Sequence, residues 1–179
     1  MGTSGLAYRA ICLMGVMALC LVAGVARADP SPGFGLYVGP VYSSDTSVYG
    51  SGHGLAFGAD AQFVYNEAWT LSPYLSFTDE TSDSSVHVVE LTGGLQARRW
   101  FGQWFLGGQY LFHSTFLTRS GQTLSGAIGP SLGLVGGWES DNHWSVVVQA
   151  DALEGAGFSW FNGNGNRHDV RVLIGYHWY

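Results

Sequence analysis

Residues 167–179 constrain the fold more than any other part of the chain. Val170, Val172, Ile174, Tyr176 and Trp178 alternate with Asp169, Arg171, Leu173, Gly175 and His177. Successive side chains on a strand point to opposite faces, so this segment reads as a strand with one oily face and one mixed, partly charged face. It then runs out on two aromatics, Trp178 and Tyr179. Such a strand needs an apolar medium on one side and polar partners on the other.

The amino end reads as a cleavable signal peptide over residues 1–28. Arg9 supplies the positive n-region, residues 10–26 the apolar h-region, and Ala26, Arg27 and Ala28 an A-x-A cleavage site. Both cysteines, Cys12 and Cys20, fall inside it, so no disulfide, thiol chemistry or Cys-ligated metal is expected in the mature chain. The mature domain, residues 29–179, holds five arginines, no lysine and thirteen acidic residues, a formal charge of −8. That balance argues against nucleic acid as a partner. Only 11% of the chain is charged, against about 25% in ordinary soluble domains. No mature segment reaches the roughly 18 apolar residues of a membrane helix. Low charge without an apolar helix fits a membrane barrel, whose lipid-facing residues occupy alternate positions.

Eight strand-like runs can be counted, at 34–43, 54–65, 69–78, 86–98, 104–113, 124–138, 144–153 and 168–178. In the second, Leu55, Phe57, Ala59, Ala61, Phe63 and Tyr65 alternate with Gly54, Ala56, Gly58, Asp60, Gln62 and Val64. Large apolar residues outward and small or polar ones inward is the pattern of a narrow barrel. The connections 66–68, 99–103 and 139–143 are short, whereas 44–53, 79–85, 114–123 and 154–167 are mostly longer and rich in Gly, Ser, Asn and Asp. The expected fold is all-β: an eight-stranded antiparallel transmembrane barrel with short periplasmic turns and longer outer loops. Trp69, Trp100, Trp104, Trp138, Trp144 and Trp178 fall at or beside the ends carrying the short turns, and only Trp160 lies at the other end. An indole can keep its ring in lipid and its N–H among headgroups, so these residues predict a periplasmic aromatic girdle.

This pattern resembles the small OmpA/OmpX-type outer-membrane barrels over the whole mature chain. Its sharpest element is the end, Gly175, Tyr176, His177, Trp178 and Tyr179. The family usually closes on an aromatic two positions after an outward Tyr; Trp178 takes that place and Tyr179 is one residue extra. The resemblance implies residence in the outer membrane of a Gram-negative bacterium and contact with outer-membrane lipid and lipopolysaccharide. It also implies recognition of the last strand by the barrel-assembly machinery.

The register turns Asp60, Glu90, Arg98, Asp151, Asp169 and Arg171 inward, with Asp151 and Arg171 expected near each other. A lumen of eight strands has room for side chains and little else. These charges therefore read as a salt-bridged polar plug; the alternative is a gated ion or water path past Arg171.

Two enzyme families offer partial resemblances. The lipid A deacylases use a His-x-Ser pair followed by Asn; His143 and Ser145 match, but Val146 follows and the pair is expected to face inward at the periplasmic end. The lipid A palmitoyltransferase places a His in the first outer loop and an Asp-Ser pair further on, which His53, Asp83 and Ser84 echo. A His that takes a proton from a Ser hydroxyl is the minimum for acyl transfer. Pro40, Pro73 and Pro130 sit inside predicted strands and cannot donate to a ladder, so they mark either bulges or lateral openings. Phe158, Trp160 and Phe161 in the last outer loop are candidates for binding a surface ligand or for packing over the barrel mouth. His53, His87, His113 and His168 lack metal-ligand spacing, and no cofactor or metal is expected. The sequence favours a non-enzymatic role in envelope structure or surface binding through the outer loops. The alternatives are a palmitoyltransferase-like acyltransferase, or a narrow channel or small-hydrophobe conduit.

Overall fold

A computed structural model describes residues 31–45, 51–82, 86–119, 122–153, 159–160, 163–164 and 167–179. The strands are β1 (Gly33–Asp45), β2 (Ser51–Asn66), β3 (Trp69–Ser82), β4 (His87–Phe101), β5 (Trp104–Arg119), β6 (Gln122–Glu139), β7 (Trp144–Leu153), β8 (Ser159–Trp160), β9 (Gly163–Asn164) and β10 (Arg167–Trp178). Strands β1 to β7 and β10 close into one antiparallel barrel, with β10 pairing both β7 and β1. Among the described residues, β8 and β9 pair with each other.

Alternation sets every wall. On β3, Trp69, Leu71, Pro73, Leu75 and Phe77 are exposed, while Thr70, Ser72, Tyr74, Ser76 and Thr78 are buried. Leu36, Phe57, Leu95, Phe112, Leu134, Val146 and Ile174 continue the apolar outer wall around the barrel. The structure thus holds its oily residues outside and its charges inside, the reverse of a water-soluble sandwich.

Several strands run further than their sequence suggests. β2 begins at Ser51, β3 continues to Ser82, β5 to Arg119 and β6 starts at Gln122. Asp79, Glu80, Ser114 and Thr115 look like loop residues, but they keep the alternation: Glu80 and Thr115 are buried, Asp79 is exposed. A polar lumen makes a strand resemble a loop when only composition is read.

Five indoles keep the outward parity: Trp69, Trp144 and Trp178 are exposed, and Trp104 and Trp138 are half-buried and directly paired. Trp144 meets Tyr176 edge-on at 5.3 Å, Tyr176 meets Trp178 at 4.9 Å, and Trp178 lies 6.1 Å from Phe34. Trp100 departs from the expectation. It occupies an inward position of β4, donates its Nε1–H to Thr70 Oγ1 at 3.0 Å and packs on Phe105. One step of sequence reverses the face, so nearness to a strand end was not enough to place it.

Candidate functional site

The lumen is where this chain departs most from an inert wall. Arg98, Arg171 and Glu90 have no exposed surface, and Asp60, Asp151 and Asp169 are buried with them. Burying ions is tolerable only when each is paired and hydrogen-bonded. Here the pairing runs the length of the barrel.

At the long-loop end Arg167 bonds Glu80 and Asp169, each at 2.8 Å, and Ser43 donates to Glu80 at 2.5 Å. Arg171 sits below, 2.7 Å from Asp151 and 2.9 Å from Glu90. Glu90 also accepts from Thr92 and Thr115, both at 3.0 Å, and lies 2.9 Å from His113 Nδ1. Asp151 accepts from Gln109 at 2.5 Å, and Gln109 from Gln96 at 2.9 Å. Arg98 bridges Gln96 and Asp60, each at 2.5 Å. Tyr37 then connects Asp60, at 2.9 Å, to His177 Nε2, at 2.6 Å. His177 Nδ1 reaches Glu139 at 2.5 Å, and the Tyr179 hydroxyl donates to the same carboxylate. This chain of contacts runs unbroken from Glu80 to Tyr179 and takes a residue from each of the eight barrel strands. An apolar wall packs beside it, formed by Phe105, Leu111, Val135, Val147 and Leu173, all fully buried.

Small residues make room for the large ones. A Cβ on Gly175 would lie 2.3 Å from the Tyr37 ring, and one on Gly35 would lie 2.6 Å from both Asp60 and His177. The ring and its two partners meet only because these positions carry no side chain.

The prolines mark interruptions in the wall. The β1–β10 ladder passes from Val38↔Ile174 to Val41↔Arg171 without the two pairs between. The β2–β3 ladder passes from Asp60↔Tyr74 to Phe63↔Leu71 in the same way. In each case one absent N–H, that of Pro40 or Pro73, removes both pairs, because adjacent antiparallel bridges share that donor. The register on either side is unchanged, so these are gaps and not bulges. Pro130 lies on β6 just beyond its pairing with β7, which starts at Leu132↔Ala152.

The other candidates distribute as follows. His53 is exposed on the outer wall of β2. Asp83 and Ser84 lie outside the described residues, as do Phe158, Phe161 and the side chain of Trp160. His143 does not face the lumen: it ends a turn at φ 67° and meets Tyr176 and Tyr179 edge-on, while Ser145 is buried inside. His113 is buried in the lumen, whereas His53 and His87 are exposed, so the loop histidines do not converge. Glu90, His113 and Asp169 each bring a ligating atom within 4.8 Å of the others. Their oxygens are engaged by Arg171, Arg167 and two threonines, which makes the group an ion-pair network and not a coordination sphere. Sequence reasoning did not single out Glu80, Arg167, His113, His177, Glu139 or Tyr37 for this network. Parity alone would have found Tyr37, His113 and His177, which take inward positions of the expected strands.

A barrel of eight antiparallel strands, oily outside and ionic within, has known counterparts. The fold is that of the small outer-membrane barrels. Ail, the attachment invasion locus protein of Yersinia pestis, superposes with a TM-score of 0.59 at 9% identity, covering 83% of this chain and all of that one. The Neisserial surface protein NspA gives 0.54 at 12% identity over 80% and 96% of the two chains. The outer membrane protein OprG of Pseudomonas aeruginosa gives 0.53 at 8% identity over 85% and 98%. No protein-family model and no curated protein sequence matches the chain.

Proposed function

We propose that this chain is a non-enzymatic barrel of the Gram-negative outer membrane that presents a binding surface at its long-loop end. The observation that carries this reading is the filled lumen: one chain of contacts with a residue from each of the eight barrel strands, beside a buried apolar wall of Phe105, Leu111, Val135, Val147 and Leu173, occupies the interior. With the interior occupied, the surface left for a partner is the long-loop end, where β2, β3, β5 and β6 carry the wall beyond the expected strand ends.

One of the similar barrels, Ail, has been crystallised with the heparin analogue sucrose octasulfate. That ligand does not carry over on charge: the mature domain has a formal charge of −8, and Arg98 and Arg171 are fully buried.

The test uses the mature chain refolded into phospholipid vesicles, with residues 120–127 replaced by a two-residue turn in a second sample. Vesicle binding to immobilised peptide arrays is expected for the full chain and lost in the shortened one. Lipid A incubated with the full chain is expected to keep its mass. Acyl gain or loss that disappears in His53→Ala overturns the reading in favour of an acyltransferase. The ladder gaps at Pro40 and Pro73 favour one second reading, a sideways path for small hydrophobes. Its signature is transfer of an apolar dye between lumen and bilayer that Pro40→Ala reduces.

A further inference from the structure

The geometry points to His177 as a buried imidazolium, a proton-operated latch that closes the tryptophan end of the lumen. The argument is a count of hydrogens. Asp60 is paired with Arg98 at 2.5 Å, so it stands as a carboxylate and can only accept. Tyr37 lies 2.9 Å from that carboxylate and has one proton, which it donates there. Its oxygen is then free only to accept, and its other neighbour, at 2.6 Å, is His177 Nε2. Nε2 must carry a hydrogen. The other ring nitrogen, Nδ1, faces Glu139 Oε2 at 2.5 Å. The second oxygen of that carboxylate accepts from Tyr179. A hydrogen must lie between Nδ1 and that oxygen, and because imidazole is a stronger base than a carboxylate it rests on Nδ1; an imidazole with both nitrogens protonated is a cation.

Charge leads to the same state independently. At this level of the barrel Arg98 pairs with Asp60, whereas the ionisable side chains that Glu139 contacts are His177 and Tyr179. With Glu139 ionised, a neutral His177 leaves its negative charge uncompensated; a charged one closes the balance. The groups around the ring come from every side. β1 gives Tyr37, β2 Asp60, β6 Glu139, β4 Arg98 through Asp60, and the residue after β10 gives Tyr179. β3, β5 and β7 face this level with Thr70, Ser72, Phe105 and Ser145, none of them titratable near neutral pH. The ring therefore ties β10 to β1, β2 and β6 at one point. Removing its second proton takes a donor away from either Tyr37 or Glu139 and leaves Glu139 without a counter-charge.

The experiment is nitrogen-15 NMR of the histidine rings in the folded mature chain in detergent micelles, with His177 assigned by its loss in His177→Gln. At neutral pH both His177 nitrogens are expected to carry protons. A single unprotonated ring nitrogen on His177 overturns the proposal. Glu139→Gln keeps the shape and removes the anion, and is expected to convert His177 to the neutral ring at the same pH. A ring still doubly protonated in that variant overturns the pairing argument. If the variant does not fold, the wild-type spectrum decides alone. In planar bilayers, conductance of the wild-type barrel is expected to rise as pH is raised through the loss of that second proton. Conductance flat across that transition overturns the latch.

Discussion

Arg171 shows what a single lumen residue carries. It has no exposed surface and contacts Asp151, Glu90 and Asp169 from three different strands or positions. Removing one partner of a buried ion pair strands the other charge in a medium that cannot solvate it, at a cost of about 3–5 kcal/mol. Arg171→Met is therefore expected to lower the unfolding free energy in detergent by that amount, read from the urea midpoint. A loss near zero would mean that water reaches these carboxylates. Gly175 makes the opposite kind of contribution, by absence. Its Cβ would lie 2.3 Å from the Tyr37 ring, and the ring cannot retreat without leaving Asp60 and His177. Overpacking of this type costs roughly 1–3 kcal/mol. Gly175→Ala is expected to fall in that range and to be relieved in part by Tyr37→Leu, a coupling that a double-mutant cycle measures.

At the scale of the strand, much was legible and for one reason: a period of two survives in either solvent. The inward and outward lists for β2, β3, β4 and β7 follow from alternation, because lipid demands large apolar residues at every second position. Strand ends were less legible. Asp79, Ser114 and their neighbours carry turn-like side chains, yet their backbone remains in the ladder up to Ser82 and Arg119. The prolines were legible as positions but not as geometry. They were expected to mark either bulges or openings, and at Pro40 and Pro73 the structure shows unshifted gaps of two pairs each. A prediction follows from the shared donor. Pro40→Ala supplies an N–H opposite Val172 and should restore both missing pairs. The new hydrogen bond contributes about 0.5–1.5 kcal/mol, offset by about 0.4–1 kcal/mol from the freer unfolded chain. Stability should hold within about 1 kcal/mol while the amide at position 40 becomes protected from hydrogen exchange. Rapid exchange there would show that the seam is held open by packing and not by the missing donor.

For the whole molecule, architecture came through the sequence and the lumen circuit did not. Alternation specifies which residues point inward, but which inward residues meet depends on stagger between strands and on the reach of long side chains. Arg167 and Glu80, 87 positions apart, join at 2.8 Å because barrel closure brings the start of β10 and the end of β3 to the same mouth, within reach of a long side chain. Tyr179 could be seen only as an addition to the closing strand, yet it bonds to Glu139 and ends the chain of contacts. That circuit makes a prediction about the barrel as a unit. A path for ions needs a link that holds a carboxylate to be lost, so that water enters beside the stranded charge. The wild-type chain in a planar bilayer at neutral pH should show no steady ohmic conductance. Replacing Arg98 and Asp60 together by Met and Leu substitutes apolar volume for a charged pair, which is often neutral or stabilising. That double variant should therefore fold and stay closed, while Arg98→Ala alone should leak, because it leaves Asp60 charged beside a cavity that water can fill. If both conduct equally, volume and not ion pairing closes the lumen, and the apolar wall of Phe105, Leu111, Val135, Val147 and Leu173 becomes the part to vary.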